Sequence, residues 1–501
     1  MIDRRKLRLI IVAVVAVIIL LCIYTAATHG RLVIRNLGDE EVSIVKITDK
    51  DIETTETISN GAFVGSGEYV VKNNKDSHER LITVRVENWF RTTSITYDEL
   101  KTAATKRVAA LTYEHLVPLT DGSFASYTDL NSYSDGYSLH PANDPFGGKV
   151  KDIAIMTTFA SPVSLNDGRL VGVVDDTLSA YSFQTQKITP YSTIKIPPAA
   201  DDILVDPPSL QRSSDVGDQT IGILQVNDSK PLTMVTASGT TNQYTVKGEG
   251  DLKEKFDINQ AYAANLFESR KINDAKNNEA EDIPSDYRVV VSELATQTST
   301  TVSVGTAKSI SAVTIDSSGE YIAVIKDDYL YIYHKDGSLV AANPFTVANQ
   351  LFWRQGKLYV LSTDVGISVF DPATTQLSPI STSTSGTLSF SNAAIYSSGI
   401  YVTAYSKKED SKLPDGYVID LAAASSQDEV KLAENLPYEG TNFDMNYLND
   451  TVYIRLDVFA RDETTQTFKD YLASVEYRAR EKLKSLIGSD AVKRLKIVIV
   501  R

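Results

Sequence analysis

The side chains of this sequence that could do chemistry are five histidines, one cysteine and many carboxylates. The histidines are His29, His78, His115, His140 and His334, and the cysteine is Cys22. No two histidines have the spacing of metal ligands and no His-Glu-x-x-His motif is present, so we expect no zinc site of the usual kinds. A Gly-x-Ser-x-Gly elbow, a P-loop and a dinucleotide-binding motif are also missing. The motifs therefore predict no catalytic residue, no metal and no cofactor.

Two pairs of adjacent aspartates, Asp175/Asp176 and Asp327/Asp328, are the most suggestive carboxylates. Both pairs open the pattern Asp-Asp-x-Leu-x-x-Tyr, and each follows an apolar, β-branched segment. Adjacent residues in a strand or tight turn point in different directions, so neither pair forms a ready catalytic dyad. We predict that these acids hydrogen-bond within their own turns.

The second aspartate pair follows a unit that repeats along the chain, a Gly or Asn-Asp turn followed by an apolar strand. The unit begins at Gly319, Gly356, Gly399 and Asn449, so successive copies start 37, 43 and 50 residues apart. This is the length of a four-stranded propeller blade. We predict an all-β chain in which residues 112–470 form a β-propeller of about seven blades. A tandem of β-sandwiches is the alternative.

The repeat region resembles the WD40-like and quinoprotein-like propellers as a class. Regular Trp-Asp dipeptides are missing, and the only tryptophans are Trp89 and Trp353. The resemblance therefore implies a fold and brings no activity with it. Trp353 follows Phe352 at the start of a blade, which predicts a core position for it.

Residues 30–96 predict a small β domain ahead of the propeller. Short alternating strands are expected at Arg31–Arg35, Glu41–Ile47, Gly67–Lys72 and Arg80–Val86. With its central Gly61-Ala62 and the late Gly-x-Tyr-x-Val strand, the segment resembles the PEGA-type domain of bacterial surface proteins. The Pro-Glu-Gly-Ala centre of that family is replaced by Asn60-Gly61-Ala62. The resemblance implies a β-sandwich that acts as a spacer or interaction module.

The N-terminal segment predicts a membrane anchor. Residues 9–27 are 19 apolar residues without a charge, about 28 Å as a helix. The anchor residues we single out are Leu9, Ile10, Val14, Ile18, Leu21 and Tyr24. Arg4, Arg5, Lys6 and Arg8 precede them within the basic segment 1–8, so the positive-inside rule predicts a cytoplasmic N-terminus. We expect a single-pass protein of the cell membrane with its bulk outside the cytoplasm; a signal peptide cleaved after Thr25-Ala26-Ala27 is the alternative.

Two further segments carry a helical pattern. Residues 97–111 have apolar residues at helical spacing and are predicted to form a linker helix. The tail, 471–501, predicts a short α/β unit with one apolar stripe, a second helical piece and a final strand. It is also the most basic part of the exterior. We predict that the tail packs on the body and that its strand completes a sheet; a basic patch for anionic lipid or wall polymer is the alternative.

Composition and charge limit the classes of function. Of the 501 residues, 42% are hydrophobic, and the net charge is −14, which disfavours a nucleic-acid binder. The missing disulfide-forming cysteines favour a bacterial-type envelope protein. We predict a membrane-anchored scaffold whose propeller binds another envelope protein. A receptor for wall polymer or carbohydrate is the second hypothesis, and a propeller hydrolase or lyase with a site assembled from distant blades is the third.

Overall fold

The described part of the chain folds mainly into β-strands, and its longest helices lie near the two ends of the sequence. The structure is a computed structural model and describes residues 4–35, 41–48, 55–73, 80–96, 103–110, 115–119, 123–127, 136–140, 149–152, 160–165, 168–174, 177–195, 209–215, 218, 220–224, 231–236, 238–269, 284–363, 366–381, 388–396, 399–406, 415–424, 432, 435–436, 438–448, 451–456 and 465–500. Its first element is helix α1 (Arg4–Thr28).

A small β-sandwich follows α1. Its strands are β1 (His29–Arg35), β2 (Glu41–Ile47), β3 (Glu56–Ser59), β4 (Phe63–Gly65), β5 (Gly67–Asn73), β6 (Arg80–Val86) and β7 (Thr92–Thr96). One sheet has the order β4-β1-β7, and the other contains β6-β5-β2-β3. The inward residues of the two sheets, among them Leu32, Ile44 and Val71, form one buried cluster. The four strands expected from the sequence are confirmed, whereas β3, β4 and β7 were not predicted.

Six blades of a β-propeller lie between the sandwich and the C-terminal region. Blade 1 is β9 (His115–Pro118), β10 (Phe124–Tyr127), β11 (Gly136–His140) and β12 (Lys149–Asp152); blade 2 is β13 (Ala160–Ser164), β14 (Arg169–Val174), β15 (Thr177–Ser182) and β16 (Lys187–Lys195); blade 3 is β17 (Ser209–Arg212), β18 (Ile221–Leu224), β19 (Pro231–Val235) and β20 (Thr241–Thr245). Blade 4 is β21 (Asp251–Ile258), β22 (Tyr262–Ser269), β23 (Ser285–Glu293) and β24 (Thr298–Ala307); blade 5 is β25 (Ile310–Ile315), β26 (Tyr321–Lys326), β27 (Tyr329–His334) and β28 (Leu339–Val347); blade 6 is β29 (Gln350–Arg354), β30 (Lys357–Ser362), β31 (Gly366–Asp371) and β32 (Gln376–Ser381).

A seventh blade closes the ring with a strand from another part of the chain. Its first three strands are β33 (Leu388–Tyr396), β34 (Gly399–Ser406) and β35 (Asp415–Ala424), and the fourth is β8 (Ala103–Ala110). β8 runs antiparallel to β35, and β33 contacts β9 of blade 1. The prediction of seven blades is confirmed, and the ring is closed by pairing two distant segments.

The predicted linker helix over 97–111 is wrong where the structure describes it. Residues 103–110 form β8, and the rest of that segment lies outside the described residues. The apolar spacing of this segment is compatible with a helix. Without β8, however, β35 would be an edge strand with unpaired backbone groups, and pairing with β8 satisfies them. Tertiary pairing therefore overrides a local helical preference of modest strength.

The C-terminal region forms a separate α/β unit. Its elements are β36 (Tyr438–Gly440), β37 (Phe443–Leu448), β38 (Thr451–Leu456), α2 (Gln466–Ile487), α3 (Ser489–Arg494) and β39 (Lys496–Val500). β39 pairs in parallel with β38, so the predicted completion of a sheet by the tail is confirmed. Val475, Ala479, Leu483 and Ile487 of α2 are buried against this sheet. The propeller therefore ends with β35, not at residue 470, because the unit at Asn449 belongs to this second sheet.

The sandwich is joined to blade 6 through a continuous sheet. β6 pairs antiparallel with β32, which gives an eight-stranded sheet in the order β29-β30-β31-β32-β6-β5-β2-β3. Val70 and Leu81 point away from the sandwich core and lie in the buried cluster of blades 4, 5 and 6. The Thr83 hydroxyl accepts a hydrogen bond of 3.1 Å from the Ala342 amide of blade 5. We call the surface formed by Val70, Leu81 and Thr83, together with the β6–β32 pairing, the seam. The seam fixes the sandwich against blades 5 and 6.

Candidate functional site

The residues predicted to anchor the chain all lie in α1. Its described side chains begin at Val12, and the exposed fractions of Val14, Ile18, Leu21 and Tyr24 are 53%, 53%, 57% and 68%. Arg4, Arg5, Lys6, Arg8, Leu9 and Ile10 belong to the same helix, with side chains outside the described part. Across the part of the chain that is described, no helix has both the length and the apolar character that a membrane crossing requires.

Three exposed aromatic side chains lie beside the C-terminal end of α1. Trp89 and Phe90 occupy the turn between β6 and β7, and Phe63 comes from β4; we call these three residues the aromatic foot. The backbone amide of Trp89 donates to the carbonyl of Ala26 at 2.5 Å, and that of Phe90 donates to His29 at 2.9 Å. The rings of Phe63 and Phe90 meet edge to face, with centroids 5.2 Å apart. The foot is therefore tied to the end of α1 by the backbone.

The backbone holds the aromatic foot in an unfavourable conformation. Trp89 and Phe90 have φ angles of 58° and 54°, in the left-handed region that bulky residues rarely adopt. Trp89 is still 59% exposed. Such strain persists only where surrounding contacts impose it, and it occurs preferentially at functional positions. No motif in the sequence predicted this site; its signal is the Trp-Phe pair after Asn88, with Glu87 before it and Arg91 after it.

A loop of blade 3 reaches the first strand of blade 6. In the connection from β17 to β18, the carbonyl of Ser214 accepts a hydrogen bond of 2.8 Å from the amide of Trp353. Asp215 forms a parallel bridge with Trp353, which belongs to β29 of blade 6. Blades 3 and 6 are not neighbours in the ring, so this contact joins two blades that do not lie side by side. We call residues 213–215, with Asp218 and Thr220, the channel loop.

The channel loop is held by a buried carboxylate, Asp257 at the end of β21. Asp257 accepts hydrogen bonds from the backbone amides of Ser214 (3.0 Å), Ile258 (2.8 Å) and Ile315 (2.8 Å). It also accepts one from the Ser214 hydroxyl. Four donors fill the acceptor positions of a carboxylate, so this group binds protein and not substrate. It links blades 3, 4 and 5.

Burial makes Asp257 harder to ionise. Desolvation raises the pKa of this carboxyl to about 6, and the hydrogen bonds from Ser214, Ile315 and Ile258 oppose the shift. The Arg212 guanidinium interacts electrostatically with Asp257, and burial lowers the pKa of Arg212 in turn. Ser214 and Asp257 are both buried, and backbone amides already occupy the carboxylate, so the geometry indicates a structural role.

The raised pKa predicts a pH-dependent stability. Folded protein keeps the proton on Asp257 up to about pH 6, whereas unfolded chain releases it near 3.8, so stability falls as pH rises through this range. The full shift corresponds to about 3 kcal/mol. Asp257→Asn has no proton to lose at this position. Between about pH 4 and 7 the unfolding free energy of wild type should therefore fall by about this amount relative to that of Asp257→Asn. Urea unfolding at several pH values measures it, and parallel pH curves would contradict it.

The remaining predicted sites are structural or lie outside the described residues. The Asp327 carboxylate accepts hydrogen bonds from the amides of Lys308 (2.8 Å) and Ser309 (2.9 Å). The prediction that it hydrogen-bonds within its own turn is therefore wrong, because this side chain holds the connection between blades 4 and 5 instead. Asp175 and Asp176 lie outside the described residues. Trp353 is 1% exposed, as predicted for a core residue. Within the described ranges, no group of three or more metal-ligating side chains is found.

Solved structures that are similar to this chain include β-propellers. The chain is similar to the β-propeller domain of the Trilobed protease from Pyrococcus furiosus, with 11% identity, 64% of this chain and 96% of that chain covered, and a TM-score of 0.38. It is also similar to the Dos1 propeller, with 10% identity, coverage of 64% and 93%, and a TM-score of 0.35. No family model and no curated protein match this chain. These likenesses are too distant to carry an argument about activity, and the propeller assignment rests on the strand pairing.

Proposed function

We propose that this chain is a membrane-held scaffold that presents its propeller to a protein partner in the cell envelope. The observation that carries the proposal is the eight-stranded sheet shared by the sandwich and blade 6. Domains joined by a linker alone move relative to each other by default. Here the domain next to α1 shares a strand pairing and an apolar contact with the propeller, which suits a protein that has to display one surface in a fixed direction.

Attachment to the membrane through the run 9–27, which begins before the described side chains of α1, is part of the proposal, with a cytoplasmic N-terminus. It is supported by the uncharged run 9–27, by the basic residues before it and by the exposed apolar side chains from Val12 to Tyr24. Trp89 of the aromatic foot adds support, because Trp is enriched where a protein crosses from lipid to water. On this view the PEGA-like sandwich is a spacer that stands on the membrane surface.

The propeller surface opposite the seam is the part we propose for the partner. The sandwich contacts blades 5 and 6, and β37 of the C-terminal unit lies against β8 of blade 7. Blades 1 to 4 occupy the other side of the ring. Their outer strands include the exposed segment Thr241–Gln243 of β20, which gives a position for a direct test.

Site-specific photo-crosslinking in intact cells tests both parts of the proposal. A photoreactive p-benzoylphenylalanine is placed at Asn242 on blade 3, at Trp89 in the aromatic foot and, as a control, at exposed Thr57 on β3. We expect Asn242 to give a discrete protein adduct and Trp89 to give lipid adducts, with neither from Thr57. Failure to capture a protein from Asn242 would contradict the scaffold function, and a lipid-free Trp89 would contradict the membrane position.

A further inference from the structure

A small pocket lies between blades 3 and 4, away from the seam and the channel loop. Its volume is about 230 Å³, and its apolar floor includes Leu232, Ala263 and Leu294. Gln243 and Tyr244 of β20 border it on one side, and Ser299 of β24 borders it on the other. Pockets for drug-sized ligands and cofactors are larger, at roughly 300–1,000 Å³. The size suits a single inserted side chain with the backbone next to it.

One buried polar group in this pocket is unsatisfied. Asn265, on β22, is 1% exposed and lines the pocket, and its Oδ1 has no hydrogen-bond partner among the described residues. Its neighbours on the same face of β22, Ala263 and Phe267, belong to the apolar cluster between the two blades. Leaving a buried side-chain oxygen without a hydrogen-bond donor costs free energy, so its presence here calls for an explanation.

The chemistry of the pocket points to a neutral ligand with an amide. Asn265 offers both a carbonyl oxygen and an NH2 group, which together match another carboxamide. The rim carries Lys247 and Glu293, one charge of each sign, so it favours no charged ligand. The bordering strand β20 is the last of its sheet, and such an edge can pair with an extended peptide.

We propose that this pocket binds the side chain of an Asn or Gln residue in an extended peptide segment of a partner protein. The peptide lies along β20, and its carboxamide pairs with that of Asn265 above the apolar floor. The inference rests on the proposed function, since it assumes that the propeller binds a protein, and it names the chemistry by which it does so. No residue of the channel loop or the aromatic foot takes part.

Peptide selection on the full-length chain in detergent micelles tests the pocket. A phage library of random heptapeptides is selected on wild type and counter-selected on Asn265→Leu. Thr301→Val, on β24 beside the pocket but not in its lining, is the matched control. We expect selected peptides to share an Asn or Gln, to bind Asn265→Leu at least about tenfold more weakly and to bind Thr301→Val as well as wild type. Changing the shared Asn or Gln to Leu should cause no further loss on Asn265→Leu.

A stability measurement separates binding from a purely structural role of Asn265. Leucine removes the unsatisfied Oδ1 of Asn265 from an apolar environment, so the Tm of Asn265→Leu should be higher than that of wild type. A lower Tm, or selected peptides that bind both proteins equally, would overturn the proposal, as would a pocket that takes N-acetylglucosamine oligomers instead of peptides. If Asn242 still crosslinks a protein in cells that express Asn265→Leu, the pocket assignment fails while the scaffold function stands.

Discussion

Replacing Trp353 by alanine is expected to lower the free energy of unfolding by about 3–5 kcal/mol. The indole is fully buried in the cluster shared by blades 4, 5 and 6. Its Nε1 donates a 2.9 Å hydrogen bond to the hydroxyl of Thr314. The substitution therefore leaves a large cavity between two blades and removes the partner of a buried hydroxyl. Urea unfolding followed by far-UV circular dichroism measures the loss.

The other tryptophan of the chain is the matched control. Trp89 is exposed, so Trp89→Ala should change the stability by less than about 0.5 kcal/mol. Trp353→Phe keeps most of the packing. It should lower the free energy of unfolding by about 1–3 kcal/mol, because the buried Thr314 hydroxyl loses its hydrogen-bond donor. Equal effects of the two alanine substitutions would show that Trp353 does not occupy the inter-blade core.

Introducing charges at the seam is expected to separate the sandwich from the propeller. In the double variant Val70→Asp, Leu81→Asp, two carboxylates replace side chains that are 0% and 4% exposed. Burial of unpaired charges costs several kcal/mol, so the state in which the sandwich has separated from the propeller has the lower free energy. The sandwich core lies on the opposite face of β5 and β6 and is left intact. We expect thermal unfolding in two separate transitions instead of one.

The same change on an exposed strand controls for added charge. Thr57→Asp, Ser59→Asp places two aspartates on β3, where both native side chains are exposed. This control should unfold in the same single transition as wild type. A seam variant that behaved like this control would mean that the sandwich does not depend on the apolar contact for docking.

Local patterns in the sequence were sufficient to predict the propeller. A Gly or Asn-Asp turn followed by alternating β-branched residues is the pattern that connects two consecutive strands of a blade. Such patterns predict the pairing of strands that are consecutive in the sequence, and most blades consist of four consecutive strands. The same logic misled at Asn449, where a strand of this type pairs with β39 instead of joining a blade.

Long-range pairing could not be predicted from local patterns. The segment with Ala103, Ala104 and Val108 has helical spacing, yet it forms the outer strand of blade 7 because β35, over 300 residues later in the chain, offers an open edge. The strands of the seam do carry a recognisable sequence pattern. Val70-Val71 and Leu81-Ile82 are adjacent apolar pairs, which is the pattern of strands buried on both faces.

The candidate sites were harder to predict because they arise from assembly. Ser214, Asp257 and Ile315 come from three blades, and only the closed ring brings them together. Asn265 is a polar residue in an apolar strand, and nothing in its sequence context shows that its Oδ1 has no hydrogen-bond donor among the described residues. Trp89 and Phe90 depend on the end of α1, which lies more than 60 residues earlier.

The central claim is that the sandwich holds the propeller in one orientation. Spin labels are attached to Thr57→Cys on the sandwich and Thr300→Cys on blade 4, with Cys22, the only native cysteine, replaced by serine. Double electron–electron resonance on the full-length chain in nanodiscs then measures the distance between the two domains. We predict one narrow distance distribution, which broadens when Val70→Asp and Leu81→Asp are added. A broad distribution in the protein without the seam substitutions would contradict the account.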